Sequence, residues 1–407
     1  MLIHVESLQT AVPMRMAGAG KSLPIAVSGP PLTAAELQRR FRAVLYYRGA
    51  GAEAEAAARE RAAWVKESLC AALVDHPEMA GRLRRRGDGG NDDDDDGRLW
   101  EVKLRDTGVR LVQASVEATM AEFLEARGVD RERKEAALAL WTDVDVHEPD
   151  ICAPLFMQAQ SSVTSNNYSQ VSEVATRCNN IFPVLILLQL TRFSDGGYAV
   201  GVSCSLLLAD PLSLIGFLKS WARKNAEMQA QSKHVAHPVI QYTHYIQSPG
   251  AAKRVKSGTS TLGIATTAAD DSTTTTTTVL FGAPDTTSDH RALAAACVGM
   301  ASKRLGGAKE PPRFTVMARD SSKGLHVQTC CGTVGYGDRE ACHGHGHGLA
   351  ARVAQWSEAG LEDLALEGSK PVHVSYSISS SADEGLVVVM PAGGAQLLIS
   401  VTVPNYM

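Results

Sequence analysis

Apolar and polar positions alternate along Tyr198-Ala-Val-Gly-Val-Ser-Cys-Ser205, and the spacing then lengthens to that of a helix. Tyr198, Val200, Val202 and Cys204 share one strand face; Ala199, Gly201, Ser203 and Ser205 share the other. Asp210 stands at a helix N-cap position and Pro211 at the first helical position, where a missing N–H costs nothing. Leu214, Phe217, Leu218 and Trp221 then recur at i, i+3, i+4 and i+7, one apolar stripe. Strand, short loop and helix are predicted, all facing a core.

Upstream, Thr33-Ala-Ala-Glu36 reads as a capping box opening a helix that carries Leu37, Phe41 and Leu45. A second helix is expected over Ala58–Val74, with Trp64, Leu69 and Leu73 inward, ending before Pro77. Leu99–Leu104 and Val109–Ala114 alternate as half-buried strands, joined after the run Asn91-Asp-Asp-Asp-Asp-Asp-Gly97. Adjacent carboxylates repel one another, so that run reads as a solvated loop. A helix around Ala118–Arg127 follows, then strands over Leu155–Val163 and Val184–Phe193.

Beyond Trp221 the apolar periodicity decays, and residues 236–275 are rich in Gly, Ser, Thr and Ala. Regular patterning returns with a helix over Asp289–Leu305, in which Leu293, Cys297 and Met300 point inward. Strands follow over Arg313–Arg319, Lys370–Ser379 and Leu386–Met390. A hairpin through Pro391-Ala-Gly-Gly394 leads to Gln396–Val403.

Composition narrows the class. A chain of 407 residues exceeds one typical core and fits two domains of about 200 residues each. The net charge of −4 leaves no global basic footprint for nucleic acid, so a nucleic-acid partner is not expected. No apolar run reaches 18 residues; Phe182–Leu190 is too short to cross a bilayer and reads as a buried strand. Met1-Leu-Ile-His-Val-Glu-Ser7 does not read as a secretory signal. Eight cysteines lie scattered without C-x-x-C spacing and read as thiols in a reducing, cytoplasmic setting.

The segment from Tyr198 to Ala222 resembles the motif region of the plant BAHD family of acyl-CoA-dependent acyltransferases. That family carries H-x-x-x-D-G-x-S between a core strand and a helix ending in Trp-Ala. Asp210 matches the motif Asp, Ser213 the Ser, and Trp221-Ala222 the helix end; Pro211 replaces the usual Gly, and Leu206 stands where the catalytic His belongs. Pro77-Glu-Met-Ala-Gly-Arg-Leu83 is similar to the family's P-x-A-G-R-L stretch, and Gly335-Tyr-Gly-Asp338 to a shortened G-Y-x-G-N. The family's D-F-G-W-G loop is absent; only Ser380-Ser-Ala-Asp-Glu-Gly385 joins the two strands that would flank it. The resemblance covers roughly residues 35–405. It implies an α/β (α+β) fold of two similar domains, each a mixed sheet flanked by helices and chloramphenicol-acetyltransferase-like. Residues 1–235 would form the N-terminal domain, 236–275 a crossover linker and 276–407 the C-terminal domain.

Acyl transfer needs a base to take the acceptor's proton, and such a group contributes roughly 10²–10⁴-fold in rate. Leu206 can neither take nor give a proton, and Asp210 is implied by the resemblance to be structural. Ser205, Ser213 and Tyr336 remain as channel or substrate candidates. Cys204 would need a basic partner to act as a nucleophile. His343-Gly-His-Gly-His347 reads first as a glycine-rich loop and second as a metal site, so no metal is assigned. Gly18-Ala-Gly-Lys-Ser22 matches part of a phosphate loop without its spacing.

Three functions stay open. The first is an accessory or binding protein with impaired catalysis, as implied by the similarity to the ECERIFERUM/Glossy-like branch; its partner would be a fatty acid elongase component in very-long-chain fatty acid and wax metabolism. The second is an active O- or N-acyltransferase of plant specialised metabolism with a reassigned base and a coenzyme A thioester as co-substrate. The third is a lyase using the same channel. The resemblance further implies a monomer in the cytoplasm, peripheral at the endoplasmic reticulum in the first reading.

Overall fold

The computed structural model describes residues 3–15, 21–28, 30–49, 55–85, 99–104, 108–141, 186–232, 276–285, 289–305, 313–320, 324–331, 351–380 and 384–404. In chain order the elements are β1 (Ile3–Ala11), β2 (Ser22–Ser28), α1 (Ala34–Leu37), β3 (Arg40–Tyr47), α2 (Glu55–Asp75), β4 (Arg82–Arg85), β5 (Leu99–Lys103) and β6 (Val109–Val116). Then come α3 (Met120–Leu124), α4 (Gly128–Leu138), β7 (Ile186–Arg192), β8 (Tyr198–Ser205), α5 (Pro211–Ser232), β9 (Thr276–Pro284) and α6 (His290–Arg304). The chain closes with β10 (Arg313–Asp320), β11 (Gly324–Cys331), β12 (Arg352–Ala354), β13 (His373–Ser379), β14 (Gly385–Gly393) and β15 (Gln396–Pro404).

Two mixed sheets result. One has six strands in the order β1-β6-β7-β8-β3-β13, the other nine in the order β12-β9-β15-β14-β10-β11-β2-β5-β4. Both combine antiparallel pairs with parallel ones: β6 with β7 in the first, β10 with β14 and β11 with β2 in the second. The architecture is mixed α/β, two sheets flanked by helices. The sheets do not follow the order of the sequence, however. β13 crosses over to pair with β3, and β2, β5 and β4 extend the sheet built mostly from the C-terminal half.

Burial explains the layering. Phe41, Ala43, Leu45 and Tyr47 of β3 join Val200, Val202 and Cys204 of β8 in one large core with α2, α5 and the inner face of the second sheet, including Leu386, Val388 and Met390. On the outer face of the first sheet, Val44, Tyr46 and Ala199 pack under Phe123 and Leu138 of α3 and α4. On the outer face of the second, Val279, Phe281 and Val387 pack under Leu293, Cys297 and Val298 of α6. The alternation along β8 thus separates two cores, as its pattern requires. Gly201 is fixed by contact: a Cβ there would lie 1.9 Å from the Leu138 carbonyl oxygen. The final hairpin turns through Gly394 and Ala395, both at positive φ (59° and 56°), the backbone that a tight two-residue connection needs.

Two expectations change. The Thr33–Glu36 capping box is present, but its helix stops at Leu37, and Phe41 and Leu45 lie on β3. Positions 37, 41 and 45 are spaced by four, which puts side chains on one face of a helix and equally on one face of a strand. Pairing with β8 and β13 decides for the strand. The helix placed around Ala118–Arg127 is the short α3, and a separate α4 follows it. The region 236–275, the acidic run Asn91–Gly97 and the proposed strand Leu155–Val163 lie outside the described residues.

β13 is an edge strand, and His373 sits on it half-buried, in contact with Arg131 of α4 and 5.7 Å from the Tyr46 ring. Burial, then the Arg131 charge, lowers its pKa, against a smaller raising effect of Glu135. Because the folded value lies below the unfolded one of about 6.5, the unfolded chain takes up the proton first as pH falls. This group's contribution is constant above that pH and becomes destabilising below it. Melting temperature should therefore fall less between pH 7.5 and 5.5 in His373→Gln than in the parent; an unchanged difference would contradict the assignment.

Candidate functional site: the turn from Leu206 to Asp210

β8 ends at Ser205, and the chain turns through Leu206, Leu207, Leu208 and Ala209 before Asp210 starts α5. Every one of these five residues is buried; Leu206 is 1% exposed. The Leu206 amide donates to the Arg39 carbonyl at 3.1 Å, and the Leu208 and Ala209 amides donate to the Ser205 carbonyl at 3.0 and 3.2 Å. The Ser205 hydroxyl oxygen accepts from the Leu207 amide at 3.2 Å. Ser205 thus closes the turn, with its side chain fully buried.

Asp210 is the N-cap expected from the sequence. Its Oδ1 accepts from the Ser213 amide at 2.9 Å and its Oδ2 from the Ser213 hydroxyl at 2.5 Å, while Pro211 occupies the first helical position. The cap also faces across the molecule. Arg319 of β10 brings Nε within 4.0 Å of Asp210 Oδ2 and donates through Nη2 to the carbonyls of both Leu207 and Leu208, at 3.3 and 2.8 Å. Burial lowers the Arg319 pKa and Asp210 opposes that shift. A single guanidinium from the second sheet therefore holds both the turn and its cap. No local pattern marks Arg319 as a partner of this turn, because it lies far downstream on an ordinary strand.

A second buried cation lies on the other side of the turn. Arg39, whose carbonyl receives the Leu206 amide, is 2% exposed. Its guanidinium approaches Glu36 at 3.3 Å and Glu384 at 2.9 Å and donates to the Thr315 hydroxyl at 3.1 Å. Arg313 completes the group with a contact of 2.8 Å to Glu384. Burial lowers the Arg39 pKa, with Glu36 and Glu384 opposing the shift. These charges tie α1 and the start of β3 to β10 and the approach to β14, so the two sheets meet around the motif turn.

What can this arrangement do chemically? Cys204 is fully buried, and burial pushes its thiol well above the ordinary range, so it is held protonated and is no nucleophile. Ser213 is exposed but spends its hydroxyl on Asp210. Tyr336, His343, His345 and His347 lie outside the described residues. Among the described residues, no group of three His, Cys, Asp or Glu side chains could hold a metal ion, and no helix is long and apolar enough to cross a membrane. At the position that the resemblance aligns with the motif base, the structure holds a packed aliphatic side chain, Leu206.

A strand, a four-residue turn, an Asp-capped helix and an arginine from the facing sheet thus make up the site. The Transferase family model matches residues 156–281, which include β7, β8 and α5. A hydroxycinnamoyl-CoA:piscidic acid hydroxycinnamoyltransferase of Actaea racemosa is 26% identical over 40% of this chain. The Protein ECERIFERUM 26-like of Arabidopsis thaliana is 27% identical over 39% of it. The matched stretch spans about a quarter of the length of these relatives, 26% and 27%. The crystal structure of vinorine synthase overlays at a TM-score of 0.40 with 15% identity, covering 99% of this chain and 95% of that one. The F. graminearum TRI101 complex with coenzyme A and T-2 mycotoxin gives 0.38 with 12% identity, over 91% and 92%. Over this stretch the chain is similar to the Transferase family and to these plant relatives, which supports a divergent relationship to the BAHD acyltransferases.

Proposed function

We propose that this protein uses the acyltransferase scaffold for binding rather than for turnover, as an accessory protein of very-long-chain fatty acid or wax metabolism working beside a fatty acid elongase component. One observation carries the reading. The side chain at the position of the motif base is a leucine, 1% exposed and packed in the main core. Loss of a positioned base removes roughly 10²–10⁴-fold in rate, while the cap by Asp210 and its clamp by Arg319 keep the turn intact. The relative named ECERIFERUM 26-like supports this direction. In this reading the protein acts in the cytoplasm as a monomer, at the surface of the endoplasmic reticulum.

The hydroxycinnamoyltransferase relative favours a second reading, an acyl-CoA-dependent transferase with a base drawn from elsewhere in the chain. Coenzyme A binding separates the two. Calorimetry with coenzyme A should show no binding at micromolar concentrations, and co-purification should recover an elongase component. Clear micromolar binding, together with acyl transfer from a coenzyme A thioester to a hydroxyl or amine acceptor, would overturn the accessory reading.

A further inference from the structure

The face of β3 turned away from the motif core carries charge where a sheet covered by helices ordinarily carries apolar side chains. Arg40 and Arg42 alternate with Phe41 and Ala43, so both guanidinium groups start from the outer face of the first sheet. Across the ladder Arg42 pairs with Ser377 of β13 and Arg40 with Ser379. Directly opposed residues hold their Cβ atoms about 4.5–5.5 Å apart. This edge of the sheet therefore presents two arginines beside two hydroxyls.

The partners of these groups are unequally distributed. Arg40 lies over the Trp141 ring at 5.3 Å and donates to the Gln38 carbonyl at 3.3 Å. Arg131 of α4 donates to Glu135 at 2.9 Å and contacts His373, and Glu135 also accepts from the Ser375 hydroxyl at 2.5 Å. Glu132 lies exposed on the same helix. Arg42 has none of this. It is half-buried, its Nε is fully buried without an acceptor, and among the described residues no ion pair or hydrogen bond engages its guanidinium. Ser377 and Ser379 are half-buried too, and no hydrogen bond is made by either hydroxyl among the described residues.

A cation withdrawn from water without a counter-charge is costly, which is why buried arginines are normally paired. Burial, then the Arg40 charge, pushes the Arg42 pKa down to about 10, only partly opposed by Glu135 and Glu132. Glu135 is already engaged by Arg131 and Ser375, and among the described residues no carboxylate stands within ion-pair distance of Arg42. Arginine's planar fork fits a carboxylate or a phosphate with two parallel N–H donors, and neighbouring hydroxyls add donors to the same oxygens. We propose that Arg42, with Ser377 and Ser379, forms a binding site for a small oxyanion, a carboxylate or a phosphate, on the sheet face opposite the motif core. The site does not depend on the accessory reading, since no atom of it belongs to the motif turn.

Calorimetry at low ionic strength with inorganic phosphate, and separately with acetate, tests this on the full chain. The parent should bind at least one of the two, and the preference tells which oxyanion the site takes. Arg42→Gln should weaken that binding at least tenfold, Arg42→Lys less, and the Ser377→Ala/Ser379→Ala pair about threefold. The bound anion should also raise the melting temperature of the parent and leave that of Arg42→Gln unmoved. Should Arg42→Gln fail to fold, the double serine variant gives the same readout. No binding of either anion by the parent, or binding unchanged within twofold in the variants, would overturn the proposal.

Discussion

Leu206→His is expected to lower stability by about 2–4 kcal/mol and to restore no acyl transfer. Leu206 is 1% exposed, and Leu207, Leu208 and Ala209 beside it are equally shut off from water. An imidazole placed there keeps at least one nitrogen that needs a partner, and a buried polar group left without one costs roughly 1–3 kcal/mol beyond the lost packing. The turn is packed around an aliphatic side chain. Urea denaturation of the variant and parent measures the first part. Turnover of acyl-CoA donors with hydroxyl and amine acceptors measures the second, and a gain of 10²-fold or more in Leu206→His would mean that an intact transferase site surrounds this position.

Arg39→Met should be the more damaging change, destabilising by about 3–5 kcal/mol, the usual result of removing one partner from a buried ion pair. Glu36 is 3% exposed and would lose the cation it shares with Thr315 and Glu384. Glu384 keeps Arg313, so the loss should fall mainly on Glu36. The combined variant Glu36→Gln/Arg39→Met should recover part of that loss, because it deletes the orphaned charge as well; neighbours in one network are not additive. Chemical denaturation of the three variants decides the matter. A single-variant effect below about 1 kcal/mol, or strict additivity of the pair, would show that these charges do not hold the two sheets together.

The two arginines at the turn account for much of what separates sequence from structure here. Asp210 and Pro211 announce a helix start by residue type alone, since the cap bond is made within three residues. Nothing local marks Arg319 or Arg39 as partners of that turn, because their contacts are set by strands far apart in the chain. The helix assigned over Leu37, Phe41 and Leu45 failed for a related reason: their spacing suits both periods, and only the neighbouring strands β8 and β13 choose between them. Arg42 carries no signal of its own, because a lone arginine in a strand reads as solvent-facing until its surroundings are known.

Residue pattern alone determined the strand–turn–helix around Asp210 and the aliphatic character of the turn at Leu206, because each rests on local periodicity or on neighbours a few positions away. Tertiary structure decided that β13 joins the first sheet while β2, β5 and β4 join the second. It also decided that Arg39 and Arg319 brace the turn from opposite sides and that Arg42 finds no acceptor among the described residues. Those outcomes depend on which strands pair over long loops and on which charges are then withdrawn from water together, quantities that no short window of sequence contains.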